Sequence, residues 1–133
     1  MKEEILSYLP QDSPWRDRFI YLDTVDSTNN YLKKLAAQGA PEGTLAVADC
    51  QTGGKGRLGR SFQSPGGVGI YMSVLLRPNC PPEDIMHLTC GVGVAMCDAV
   101  EQATGTRPGI KWTNDLVCQK RKISGILTEL GMT

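Results

Sequence analysis

Apolar residues fall along this chain in two periods, and the changes between them mark its elements. Residues 2 to 9 carry Ile5, Leu6 and Leu9 on one side, which predicts a short amphipathic helix ended by Pro10. Gln11 to Arg18 reads as a loop, and Phe19 to Leu22 as a strand. Tyr31, Leu32, Leu35 and Ala36 follow the i, i+1, i+4, i+5 spacing of one helical face. Ser27 stands at the N-cap of that helix and Gly39 at its C-terminal cap. Thr44 to Cys50 and Gly69 to Leu76 are strands by their β-branched and apolar content.

From Asp84 to Ala103 the apolar residues fall almost all round a helix, which predicts burial on most faces; Gly105 ends it. Ile110 to Trp112, Leu116 to Cys118 and Lys122 to Leu130 then read as strands joined by short turns. Helices mixed with tandem hairpins predict an α+β fold, a mixed and mainly antiparallel sheet with helices on one face.

At 133 residues the chain fits one domain, 1–133, able to bury about two thirds of the surface its unfolded chain exposes. No apolar run is long enough to cross a bilayer, and the first ten residues lack the uninterrupted apolar core of a signal peptide, so a cytoplasmic protein without a membrane role is expected. Fourteen Lys plus Arg balance fourteen Asp plus Glu, so the overall field does not favour nucleic acid, and any anion site must be local. The five cysteines are scattered with no C-x-x-C pair, which fits reduced thiols. His87, Cys90 and Cys97 have no second ligand cluster and read as packing residues; no protein-held metal is expected.

The local anion site lies between two of the strands. Gln51 to Phe62 (QTGGKGRLGRSF) holds four glycines and three cations with no carboxylate. Glycines let backbone N–H groups approach a ligand oxygen, and Lys55, Arg57 and Arg60 supply charge. Gly54, Gly56 and Gly59 spell G-x-G-x-x-G, but a dinucleotide fold needs a helix opening directly from the motif, and RSFQSPGGVG cannot start one. A phosphate-binding G-K-[ST] loop fails on spacing. A second polar cluster, Lys111 to Asp115 with Lys122 to Gly125, flanks a hairpin.

Four pieces, DSTN at Asp26 to Asn29, QTGGKGRLGRSF, KWTNDL at Lys111 to Leu116 and KISGIL at Lys122 to Leu127, occur in one order over about 100 residues. Together they resemble the catalytic domain of the biotin protein ligase family, from Leu22 to Leu130. The resemblance implies a class II synthetase-like biotin/lipoate ligase fold. It implies ATP-dependent activation of biotin to biotinyl-5′-AMP and transfer to a lysine of a biotin carboxyl carrier protein, with biotin, ATP and Mg²⁺ required. By matched position, Arg57 and Lys122 screen the carboxylate and phosphate as they meet, and Lys111 adds to the phosphate site. Asn114 and Asp115 help to place Mg²⁺ or the acceptor lysine. Ser27, Thr28 and Gln51 line the biotin pocket, with Lys55 and Gly125 nearby and Asn29, Gly54 and Gly56 completing the set; Phe62 covers the acyl chain. Because a mixed anhydride hydrolyses where water reaches it, residues 53–64 are expected to form a mobile lid.

Lys55 stands where the family has Arg, Thr113 replaces the Pro of K-W-P-N-D-L, and Phe62 replaces Trp. The chain is expected to be incomplete at its C-terminus, before the family's G-I-G-I-N strand and β-barrel, and to lack an N-terminal helix-turn-helix. The alternatives are a lipoate or octanoyl ligase of the same fold, or a biotin- or adenylate-binding or dimerising fragment without catalysis. A homodimer would form through an exposed sheet edge at Lys122 to Leu130.

Overall fold

The computed structural model describes residues 1–112 and 115–131, so the expectations for Thr113 and Asn114 lie outside the described residues. The chain divides into two compact units, one built on Met1–Pro78 and the other on Asn79–Leu130.

In the first unit, α1 (Lys2–Ser7) is closed at its C-terminal end by Arg16, whose guanidinium donates to the carbonyls of Leu6 at 2.7 Å and Leu9 at 3.1 Å. β1 (Phe19–Val25) runs three residues past the expected strand and leads into α2 (Thr28–Ala37). α2 starts where a cap residue demands it, with the Ser27 hydroxyl accepting the Asn30 N–H at 3.3 Å. It stops at Gly39, whose φ of +90° only glycine adopts readily; there the Ala40 N–H reaches Leu35 O and the Gly39 N–H reaches Ala36 O. The helix carries the chain back so that β2 (Leu45–Gln51) lies parallel to β1, with Phe19 opposite Leu45 and Val25 opposite Gln51. β3 (Tyr71–Val74) then pairs antiparallel with β2. Ala46, Ala48, Leu32 of α2 and Phe19 are buried and form the unit's core. The C-terminal ends of β1 and β2 therefore meet the first turn of α2.

In the second unit, α3 (Ile85–Thr104) ends at Gly105 in the left-handed conformation. β4 (Gly109–Lys111), β5 (Asp115–Cys118) and β6 (Arg121–Gly125) form an antiparallel sheet in that order. Cys97 and Leu116 are its fully buried side chains, and the Cys97 thiol donates to the Pro108 carbonyl at 3.6 Å. An ion pair between Arg107 and both Asp98, at 2.7 Å, and Glu101, at 3.3 Å, ties the end of α3 to the chain leading into β4.

The α+β class is as expected, but three details differ. Among the described residues the strands form two three-stranded sheets, one in each unit, where one sheet was expected. α3 is not buried on most faces: Gly93 and Cys97 are covered, whereas Met86 and Val94 are exposed. An apolar pattern reports which faces a helix can bury, and within its unit α3 packs against the turn before it and the short strands β4 and β5. Finally, the last strand ends at Gly125 and not at Leu130. Gly125 lies opposite Asp115 in the β5–β6 ladder.

The β5–β6 turn places Gln119 and Lys120 at φ +52° and +65°, between the paired residues Cys118 and Arg121. This two-residue turn favours Asn-Gly, and a non-glycine residue held left-handed costs about 1 kcal/mol. Lys120→Gly is accordingly expected to raise the unfolding midpoint by roughly 2–4 °C in calorimetry. A lowered midpoint would show that the greater freedom of glycine in the unfolded chain dominates.

Candidate functional site

The motif residues of the first unit converge at the β1–α2 junction. Gln51 ends β2 and points its amide across to α2: Oε1 accepts the Thr28 N–H at 2.9 Å and lies 3.2 Å from the Thr28 hydroxyl. Its Nε2 donates to the Ser64 hydroxyl at 3.0 Å, and Ser64 donates onward to the Phe62 carbonyl at 3.0 Å. This chain of donors fixes which end of the Gln51 amide faces which way, because the Thr28 N–H can only donate and Ser64 uses its one proton on Phe62. Thr28 and Ser64 are each only 4% exposed, so these bonds are made away from water and hold their geometry firmly. Behind Thr28, the Ser73 hydroxyl of β3 lies 2.7 Å from the Thr28 hydroxyl and donates to the Asn29 side-chain oxygen.

The glycine loop starts from this cradle and folds back on itself. Its two arms are joined by Phe62 N–H to Gly54 O at 2.8 Å, Gly56 N–H to Arg60 O at 2.7 Å and Gln51 N–H to Ser64 O at 3.0 Å. At the tip Arg57–Gly59 makes a single 3-10 turn, with Leu58 left-handed at φ +57° and 89% exposed. Gly54 lies buried where the arms meet the cradle: a Cβ there would overlap the Phe62 carbonyl and stand 2.5 Å from Ser64 Oγ. Only glycine fits that close approach.

Asp26 completes the junction. Its carboxylate accepts from Asn30 Nδ2 at 3.0 Å, and its carbonyl accepts the Gly53 N–H at 2.7 Å. The Asn30 amide, with the Ser27 backbone N–H next in weight, holds the Asp26 carboxyl below the ordinary carboxylate range.

In the second unit, Lys122 Nζ stands 3.2 Å from Asp115 Oδ1, and Gly125, opposite Asp115, leaves the room Lys122 occupies: a Cβ there would lie 3.2 Å from Lys122 Cε and Nζ. Lys122 keeps 47% of its side chain exposed against 23% for Asp115, so the pair leaves a cation presented to solvent with a carboxylate behind it. Lys111, at the end of β4, pairs with Asp115 across the sheet. Asn114 lies outside the described residues.

Of the expected site residues, Ser27, Thr28, Asn29, Gln51, Gly54, Lys55, Gly56 and Phe62 thus belong to one junction, and Lys111, Asp115, Lys122 and Gly125 to the other unit's hairpin. Among the described residues no three His, Cys, Asp or Glu side chains converge to hold a metal. Asp115, engaged with Lys122, does not by itself make a Mg²⁺ site.

Sequence reasoning missed Ser64, Ser73 and Asn30. Ser73 left one signal, a polar residue in the otherwise apolar run GIYMSVLL, whereas Ser64 and Asn30 left none, since their partners are distant or lie in another element.

The profile of the "Biotin/lipoate A/B protein ligase family" matches residues 21–131. The chain is 45% identical over 111 residues to the bifunctional ligase/repressor BirA of Bacillus spizizenii, covering 84% of this chain and 34% of that protein. Among solved structures, the biotin protein ligase from Aquifex aeolicus in complex with biotin and ATP is similar at a TM-score of 0.77 and 40% identity, over 86% of this chain and 47% of that one. The biotin protein ligase of Leishmania major in complex with biotinyl-5-AMP is similar at 0.73 and 27% identity, over 83% and 51%. The chain therefore spans about a third to a half of the length of these relatives.

Proposed function

Since this chain belongs to the biotin/lipoate A/B protein ligase family, we propose that it forms the biotin-binding and adenylating part of a biotin protein ligase, which makes biotinyl-5′-AMP and passes the biotinyl group to a lysine of a biotin carboxyl carrier protein. The observation that carries this reading is the buried cradle of Thr28, Gln51 and Ser64 beside a glycine and arginine loop. A neutral ureido ring needs fixed hydrogen-bonding groups in a mostly apolar pocket, and an amide whose orientation is set by its neighbours provides one without reorganising on binding. The similar solved structures that hold biotin with ATP, or biotinyl-5-AMP, favour biotin over lipoate as the acid.

In the first step a carboxylate oxygen of biotin attacks the α-phosphorus of ATP; the new O–P bond forms as the bond to the β-phosphate oxygen breaks, and pyrophosphate leaves. Two anions approach only if cations screen them, and Arg57 and Lys122 take that role, with Lys111 adding charge at the phosphates. In the second step the carrier lysine, as a neutral amine, attacks the acyl carbon, and AMP departs with the bonding electrons while the amine loses its proton. The hairpin-like loop 53–64 excludes water from the anhydride between the two steps. Ser27, Asn29, Gly56, Phe62 and Gly125 shape the biotin and acyl-chain surfaces, and Asp115 holds Lys122.

The test is biotin-dependent exchange of pyrophosphate into ATP by the intact protein, followed by biotin transfer to an apo carrier domain. Exchange is expected with biotin and absent with lipoate or octanoate. Biotin binding in calorimetry without any exchange would leave a binding protein and reject the ligase.

A further inference from the structure

The three cations of the glycine loop are not equivalent. Arg57 and Arg60 are exposed near the tip, whereas Lys55 is half-buried and its ammonium donates to Asn30 Oδ1 at 2.7 Å. Asn30 is itself held, donating Nδ2 to Asp26 Oδ2 at 3.0 Å, so an ammonium, an amide and a carboxylate stand in a row. That row lies on the first turn of α2 and runs alongside three further ties between the loop's entry arm and the same junction: Thr52 N–H to Val25 O at 2.9 Å, Gly53 N–H to Asp26 O at 2.7 Å, and Thr28 N–H to Gln51 Oε1 at 2.9 Å. The arm from Gln51 to Lys55 is therefore fastened along its length, and the exposed turn at Arg57–Gly59 begins two residues later.

We infer that Lys55 is a positioning residue: through Asn30 and Asp26 it fastens the entry arm of the loop to the start of α2, so that Arg57 leaves from a fixed root. An amide that donates to a carboxylate is a stronger acceptor on its oxygen, so Asp26 strengthens the hold on Lys55.

The role of Arg57 rests on the ligase reading above, but the fastening does not, and the experiment separates them. Lys55→Met keeps the apolar stem and removes the donors; Asn30→Ala removes the acceptor without touching the loop. In the ligand-free intact protein, tryptic cleavage after Arg57 and Arg60 is expected to quicken roughly fivefold in either variant and no further in the double variant, with the unfolding midpoint nearly unchanged. In pyrophosphate exchange both variants are expected to lower kcat about fivefold and to leave the KM for ATP within about twofold. Lys55→Arg, which retains a donor, should restore most of the loss. Unchanged cleavage in both variants overturns the inference, as does a raised ATP KM in Lys55→Met with Asn30→Ala behaving as wild type, which would make Lys55 a direct phosphate ligand. If the wild-type protein shows no exchange at all, the ligase reading fails and the cleavage rates still decide the fastening.

Discussion

Lys122→Ala is expected to lower the rate of biotin-dependent pyrophosphate exchange by about 10²- to 10³-fold while shifting biotin affinity by no more than about threefold. The asymmetry follows from when its charge is needed. In the proposed mechanism the neutral ring is met by the fixed amide of Gln51, whereas the charge of Lys122 is needed only as carboxylate and phosphate crowd together. An interaction made mainly in the transition state is lost from kcat and barely from the binding constant. Stability should change little, because the pair with Asp115 spans 3.2 Å at a lysine with 47% of its side chain exposed, and such pairs contribute about 0–1 kcal/mol. Asp115→Asn makes a useful contrast: it retains the cation and removes the carboxylate that steadies it, so a smaller kcat loss with unchanged stability is expected. Exchange by Lys122→Ala within threefold of wild type would remove Lys122 from the chemistry and leave its ion pair as a feature of the hairpin.

The parts of this molecule that were legible in the sequence are those whose causes are local. α2 could be bounded because Ser27 and Gly39 act within a turn of their own positions, one accepting the Asn30 N–H and the other adopting positive φ. The strands were legible in position but not in extent: β6 covers Arg121–Gly125, although the apolar pattern runs on to Leu130. The parallel pairing of β1 with β2 has no signature in either strand; it follows from the helix that joins them. Within the site, Thr28 and Gln51 were found through ordered motifs, whereas the residues that orient them were not. Ser64 lies 13 positions from Gln51, and Ser73 lies 45 from Thr28, so no period or spacing announces them. Lys55 shows the same limit differently. Its place in a run of cations suggested an anion ligand, and only its geometry reveals the amide that holds it.

Gly54→Ala is expected to weaken biotin binding by tenfold or more, as measured by calorimetry, and to lower stability by about 1–3 kcal/mol. The added methyl would overlap the Phe62 carbonyl, stand 2.5 Å from Ser64 Oγ and 3.1 Å from Gln51 Nε2. None of these can retreat cheaply. The Phe62 carbonyl belongs to an arm whose own N–H is bonded to Gly54 O at 2.8 Å, and Ser64 is held both by Phe62 and by the backbone bond to Gln51 at 3.0 Å. The softest response is for Ser64 to turn away, which breaks its bond to Gln51 Nε2 and frees the amide to rotate, and the expected binding loss follows from that freedom. Ser64→Ala isolates this part: it leaves Gln51 Nε2 without its acceptor and should weaken binding about fivefold, the effect of one buried hydrogen bond. Combining the two substitutions separates the contributions further. Removing Ser64 Oγ relieves one of the overlaps but not the one with the Phe62 carbonyl, so Gly54→Ala/Ser64→Ala should bind no better than Gly54→Ala alone and should recover only part of the lost stability. A Gly54→Ala protein with wild-type biotin affinity would mean that the loop arm and the cradle are not one rigid piece, and that the orientation of Gln51 is set by Thr28 alone.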